Sequence, residues 1–333
     1  MSHFIRISAS DLHSEFLRIL TDTGFDQSRA SICADVFTAN SVDGVYSHGV
    51  NRFPKFIRMV KAGAIVPSAE AICKNPIGNV EQWDGQQGPG IVNAVKATDR
   101  AVEIAKSSGI GCVALARTNH WMRGGTYGWR AAKAGCVFIG WSNTIANTPA
   151  WGAVNHKLGN NPLVIAIPYG NEAIVLDIAM SQFSYGAMEM YKLKNEKLPV
   201  HGGYDTKGML SNDPSEITRT QRTLPIGYWK GSGLSLLLDI LAAVLSGGLS
   251  VAEISSQDME KNLSQVFIAV DTSKLKSVDS VIRNIIDDYK SSVPETPGKT
   301  VRYPGENVLK TRTENESIGI PVSRTVWEEI KSL

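Results

Sequence analysis

A chain of 333 residues, 43% apolar and 20% charged, has room for one large domain or two and the balance of a soluble globular protein. Its formal net charge of +2, with Lys and Arg scattered and no basic run set among aromatics, argues against a nucleic-acid partner. The four cysteines, Cys33, Cys73, Cys112 and Cys136, lack metal-ligand spacing, so no metal is expected and the thiols read as those of a reducing, cytoplasmic compartment.

The chain starts without the apolar core of a signal peptide, and its longest apolar run, residues 234–245, is too short to span a bilayer and carries Asp239. No membrane partner is expected. Ser8 with Asp11 three residues on predicts a helix start, and Leu12, Phe16, Ile19 and Leu20 then keep helical spacing until Gly24. Further helices are expected over residues 26–40, with Ala30, Cys33, Ala34 and Phe37 on one face, and over residues 53–62.

From about residue 70 the texture changes to short β-rich runs between Gly and Pro. A helix is expected over 91–107, strands over 112–116 and 136–142, and a Gly-entered helix near 126–134 between them. The runs 163–168 and 173–178 read as strands joined by Tyr169-Gly170-Asn171-Glu172, a hairpin connection that makes part of the sheet antiparallel. Residues 202–222 read as a polar loop or lid. A buried helix entered through Gly231 and Gly233 and closed by Gly247-Gly248 follows, then a strand at 266–271. Val278, Val281, Ile282, Ile285, Ile286 and Tyr289 mark an amphipathic helix, and a last short helix starts near Ser323.

The best match to a dinucleotide fingerprint, GIGCVA at 109–114, follows a helix and precedes a strand, the reverse of the strand-turn-helix order that motif needs. WKGSG at 229–233 reads either as an anion-favouring helix start or as a plain entry to a core helix. His120 and Arg123 in TNHWMRGG sit just past a strand end, and Asp177 ends a strand, where it serves a ribose hydroxyl or caps a turn. In VYSHGVNRFPKF, His48 can give or take a proton near neutral pH, and Arg52 can hold a carboxylate bidentately. That pairing suits reduction of a 2-oxo acid, whose ketone oxygen needs a proton while its carboxylate is held still. A helix-end histidine beside a solvated arginine is the plainer alternative.

Taken in order, GVYSHGVNRFPKFI, NHWMRGGTYGW, NPLVIAIP, VLDIAMSQFSYG, LPIGYWKGSG and PGEN resemble the malate/L-lactate dehydrogenase family that lacks a Rossmann fold. The resemblance implies an α/β protein with a mixed, partly antiparallel sheet in a cofactor-binding domain, residues 71–224. A mainly helical domain formed from both chain ends, residues 1–70 and 225–333, would carry the catalytic histidine. It implies an NAD(P)H-dependent reductase of a small-molecule 2-oxo acid, using NADH or, alternatively, NADPH, and working as a homodimer.

By the same resemblance His48 is the proton donor and Ser47 relays to it, while Arg52 and Asn160 bind substrate. Cofactor contacts fall on His120, Trp121, Met122, Arg123 and Gly124, and on Ala173, Ile174, Val175, Leu176, Asp177, Ile178 and Ala179. They continue on Trp229, Lys230, Gly305, Glu306 and Asn307. Asn160 stands where relatives usually carry Thr, and PGEN lacks a His that relatives place between Gly and Glu. A cyclic ketimine (piperideine-2-carboxylate) reductase or a malate/L-lactate dehydrogenase is the alternative within the family. Outside it, a metal-dependent hydrolase would use His48, His120 and Asp177, although no HxxxH or HxH pair is present.

Overall fold

The computed structural model describes residues 4–333; residues 1–3, counted with the expected helical domain, lie outside the described residues. The first helix, Ala9–Asp22, starts at Ser8, whose hydroxyl accepts from Asp11 N, and the second, Gln27–Val42, is capped in the same way by Asp26. With Phe53–Lys61 they close on an aromatic centre. Phe16 stacks on Phe53 with ring centroids 4.1 Å apart, and Phe37 meets Phe53 edge-on at 5.1 Å. Each such pair adds about 0.5–1.5 kcal/mol to the burial itself. Because Phe53 directly follows Arg52, this cluster also anchors the backbone that carries Arg52. The strand Phe4–Ile7 pairs antiparallel with Ile320–Ser323, so the two chain ends meet.

The main sheet has seven strands in the order Ile72–Ile77, Val80–Asp84, Ile110–Thr118, Leu263–Asp271, Cys136–Ser142, Leu163–Tyr169 and Glu172–Ile178. Val80–Asp84 runs parallel to Ile110–Thr118 and every other pairing is antiparallel, including the expected hairpin. The sheet is mixed, as the resemblance implied, and antiparallel at the expected hairpin.

Three readings are corrected, and one helix comes without an expectation. Leu263–Asp271 falls in the stretch assigned with the helical ends, yet it is the central strand, bonded on both sides to Ile110–Thr118 and Cys136–Ser142. Its near-continuous burial is what a strand covered on both faces needs. The 229–246 helix is not a buried one. It packs on the sheet through Gly231, Ser235, Leu238, Ala242 and Ser246, whereas Leu237 and Val244 on the other face are 56% and 68% exposed. Gly231 has no room for a side chain because the chain leading into the helix passes close by: a Cβ there would lie 2.2 Å from the Ile226 carbonyl oxygen. The helix also starts at Trp229, ahead of both glycines.

Residues 202–222 are more than a loop. Gly203–Tyr204 pairs with Leu210–Ser211, and the helix Pro214–Thr220 is capped by Asp213. Together with the helix Tyr185–Leu193 they enclose Met188, Leu198 and Ile217 in a small core of their own. Finally, Glu306–Ile318 is a helix that no apolar stripe announces, since Asn315 is its buried residue.

Candidate active site

The joint between the second and third helices is a short 3₁₀ turn, Tyr46–His48, held from outside by the end of the second helix. Asn40 Nδ2 donates to the His48 carbonyl at 2.9 Å, and Val50 N donates to Ser41 Oγ at 2.8 Å. A Cβ on Gly49 would stand 2.3 Å from Ser41 Oγ, so this close approach demands glycine. Ser47 Oγ lies 3.1 Å from His48 Nδ1, which leaves Nε2 to face the cavity.

Opposite this joint, TNHWMRGG follows the strand Ile110–Thr118. Met122 adopts a left-handed φ of 68°, held there by its own N–H, which donates to His120 Nδ1 at 2.9 Å. That bond leaves the proton of a neutral His120 on Nε2. Arg123 is buried against Asp43, whose carboxylate also accepts from Arg312 Nε at 2.7 Å, while Arg312 Nη1 lies 3.5 Å from Glu172. Asp177 caps a helix after all, but a distant one: Gly125 N, at the start of Gly125–Lys133, donates to it at 2.8 Å. Crowding by protein pushes the Asp177 carboxyl up, against the pull of that N–H and of Arg123.

Two joined compartments result. The narrower, about 220 Å³, is lined by Val45, Trp121, Met122, Arg123, Gly124, Pro162, Asp177 and Ala179. The wider, about 530 Å³, is lined by Arg52, Lys55, Asn147, His156, Tyr185, Gln221 and Glu260 among others. Ser47, His48, His120, Thr144, Asn160 and Ser184 belong to both, so His48 stands at the doorway. Crowding and the positive charges of Arg52 and Arg123 press the His48 imidazole down to about 4, and His120 is lowered by crowding and then by Arg52, His48 and Lys55. A larger cavity of about 630 Å³ opens between Gln27–Val42 and Gly125–Lys133, but it holds none of the expected site residues.

The expected residues divide in two. Ser47, His48, Arg52, His120, Trp121, Met122, Arg123, Gly124, Asn160, Asp177 and Ala179 line the two compartments. The others do not. Val175 N, on the edge strand, donates to the Pro304 carbonyl at 3.1 Å, which brings 173–176 beside Gly305 but outside the cavity lining. Trp229 and Lys230 are exposed at the start of their helix. The hydroxyl of Thr144 is 3.3 Å from Asn160 Oδ1 and orients its amide. Sequence reasoning missed Thr144, Ser184, Lys55, Tyr185, Gln221 and Glu260. Only Lys55, one turn beyond Arg52 on a helix, was there to be found. The metal-hydrolase alternative finds no support, because among the described residues no three His, Cys, Asp or Glu side chains come together as a metal site needs.

The family model described as malate/L-lactate dehydrogenase matches residues 7–331. A 2,3-diketo-L-gulonate reductase of Pasteurella multocida (strain Pm70) is 44% identical over 333 residues, covering 99% of this chain and 100% of the relative. The reductase of the same name from Escherichia coli O17:K52:H18 is 42% identical with the same coverage. Among solved structures, malate dehydrogenase from Entamoeba histolytica superposes with a TM-score of 0.91 over 99% of this chain and 97% of that one; at 24% identity this likeness speaks for the fold. The chain belongs to the malate/L-lactate dehydrogenase family.

Proposed function

We propose that this chain reduces the C2 carbonyl of 2,3-diketo-L-gulonate, or of a closely related 2-oxo acid, with NADH as cofactor. The observation that carries the reading is the position of His48 between one compartment with Arg52 and another with Trp121 to Gly124 and Asp177. The narrower compartment fits a nicotinamide ring: Val45, Met122, Pro162 and Ala179 offer apolar surface, and Asn160, Asp177 and Ser184 a polar edge. When bound, the reduced nicotinamide supplies a hydride.

The chain's own residues do the rest. Arg52 holds the C1 carboxylate in a fork, which fixes the face of the carbonyl that is presented. His48 Nε2 gives a proton to the C2 oxygen, and Ser47, on Nδ1, keeps the ring in the orientation that permits it. In the free protein the Arg52 charge helps keep His48 neutral. A substrate carboxylate on Arg52 offsets that charge, so binding raises the proton affinity of His48 when the donor is needed.

The roles of Ala173 to Leu176, Trp229, Lys230 and Gly305 to Asn307 toward the cofactor rest on the family resemblance. A homodimer is supported by the exposed apolar face of Trp229–Ser246. This helix is long and apolar enough to cross a bilayer by composition, but Asn143 Nδ2 and Val251 N donate to its Asp239, and Trp141 Nε1 to its Leu238 carbonyl. Those bonds tie it to the sheet, and its outer face is then free for a second copy. A cytoplasmic setting fits the four unpaired thiols. Turnover of a panel of 2-oxo acids and a cyclic imine with NADH and NADPH, followed at the nicotinamide absorbance, tests the reading. The expected outcome is fastest use of 2,3-diketo-L-gulonate with NADH; preference for pyruvate, oxaloacetate or the imine overturns the substrate.

A further inference from the structure

Glu260 is the one anionic side chain of the wider compartment, which it shares with two cations, Arg52 and Lys55. Its carboxylate is 14% exposed and stands 3.7 Å from Arg52 Nη2, close enough for attraction and too far for a hydrogen bond. Among the described residues no hydrogen bond engages the Glu260 carboxylate or the Arg52 guanidinium, so both keep their bonding capacity for something else. The loop that carries Glu260 is braced. Gln257 Nε2 donates to the Lys261 carbonyl at 3.1 Å, and Asn262 Nδ2 donates to Gln257 Oε1 at 2.7 Å.

With His48 and His120 neutral, Arg52, Lys55 and Glu260 together leave a single positive charge. One carboxylate on Arg52 uses it. A second carboxylate would find the charge of one of the two cations already offset by Glu260 and would face the Glu260 oxygens in a partly desolvated space, where like charges repel strongly. Hydroxyl groups meet the opposite reception, because Glu260 accepts their protons and Asn147, Tyr185 and Gln221 surround them with further polar atoms. We infer that Glu260 sets the charge class of the substrate, admitting monocarboxylates with hydroxyl groups beyond the carbonyl and rejecting dicarboxylates. This rests on the proposed 2-oxo acid reduction.

The test is kcat/KM with NADH for 2,3-diketo-L-gulonate and for oxaloacetate, measured on the parent, Glu260→Gln, Glu260→Asp and Lys55→Met. In Glu260→Gln the ratio of oxaloacetate to diketogulonate should rise at least about tenfold, the scale of one uncompensated charge in such a space. Glu260→Asp should stay near the parent, and Lys55→Met should move the ratio the other way. An unchanged ratio in Glu260→Gln, or equal gains for both substrates, overturns the inference while leaving the reductase reading intact. If Glu260→Gln does not fold, a Lys55→Met ratio that holds or rises overturns it instead. A parent that reduces neither acid overturns both.

Discussion

The imidazole rings of His48 and His120 lie face to face, with centroids 5.6 Å apart and planes 18° from parallel. A proton on His48 disfavours one on His120, and Arg52 disfavours both. The stack therefore keeps two uncharged rings at the doorway between the compartments until an anion arrives. That arrangement has a direct consequence for pH.

Because His48 is pressed from 6.5 down to about 4 in the folded protein, the unfolded chain binds more protons between those values. Stability should be complete above about pH 6.5 and fall as pH drops toward 4. Urea unfolding at about pH 7.5 and pH 5 should show the lower midpoint at the acid value, with a smaller difference in His48→Gln. Equal pH sensitivity in parent and variant would assign the loss to other groups.

Replacing His48 by Ala removes the proton donor and should lower kcat by about two to four orders of magnitude. The rise in Tm given by NADH should survive, since His48 is one of many residues lining the cofactor compartment and the rest of the wall stays in place. Near-normal turnover would remove His48 from the mechanism.

Arg52→Lys keeps a charge but loses the fork, and should lose kcat/KM for 2-oxo acids by about tenfold or more. Arg52→Met should lose more. If the methionine variant equals the parent, some other group holds the carboxylate.

Asp43 joins Arg123 on the cavity wall to Arg312 on the 306–318 helix, and its side chain is 8% exposed. Asp43→Asn strands the buried Arg123 guanidinium and leaves Arg312 only Glu172, which should destabilise the fold by about 3 kcal/mol or more in urea titrations. The KM for NADH should rise as well, since Arg123 loses its tether. A variant as stable as the parent would show that the cluster is already neutralised by solvent.

Leu237 and Val244, exposed on one face of the 229–246 helix, make it the expected dimer contact. Leu237→Glu with Val244→Glu should convert a dimer to a monomer in sedimentation velocity. A parent that sediments as a monomer, or that floats with lipid vesicles, rejects the dimer.

How much of this could be read from the chain depends on how local the cause is. Ser8, Asp26 and the Tyr169 to Glu172 connection act within a few residues, so helix starts and the hairpin were legible. The Ser47-His48-Arg52 constellation was legible too, because one turn and one helix start place all three. The inversion of the 229–246 helix was not. A run of leucines looks buried until the fold shows that the face carrying Gly231, Ser235, Leu238, Ala242 and Ser246 is the one covered, while Leu237 and Val244 lie outside. Nor could spacing show that Leu263–Asp271 enters the middle of the sheet, since strand order is set by pairing across a long span of sequence. Residue types alone named the histidine and the arginine. Glu260 lies more than two hundred positions from Arg52, and only the folded chain brings its carboxylate to 3.7 Å from that guanidinium, where Coulomb's law makes it matter.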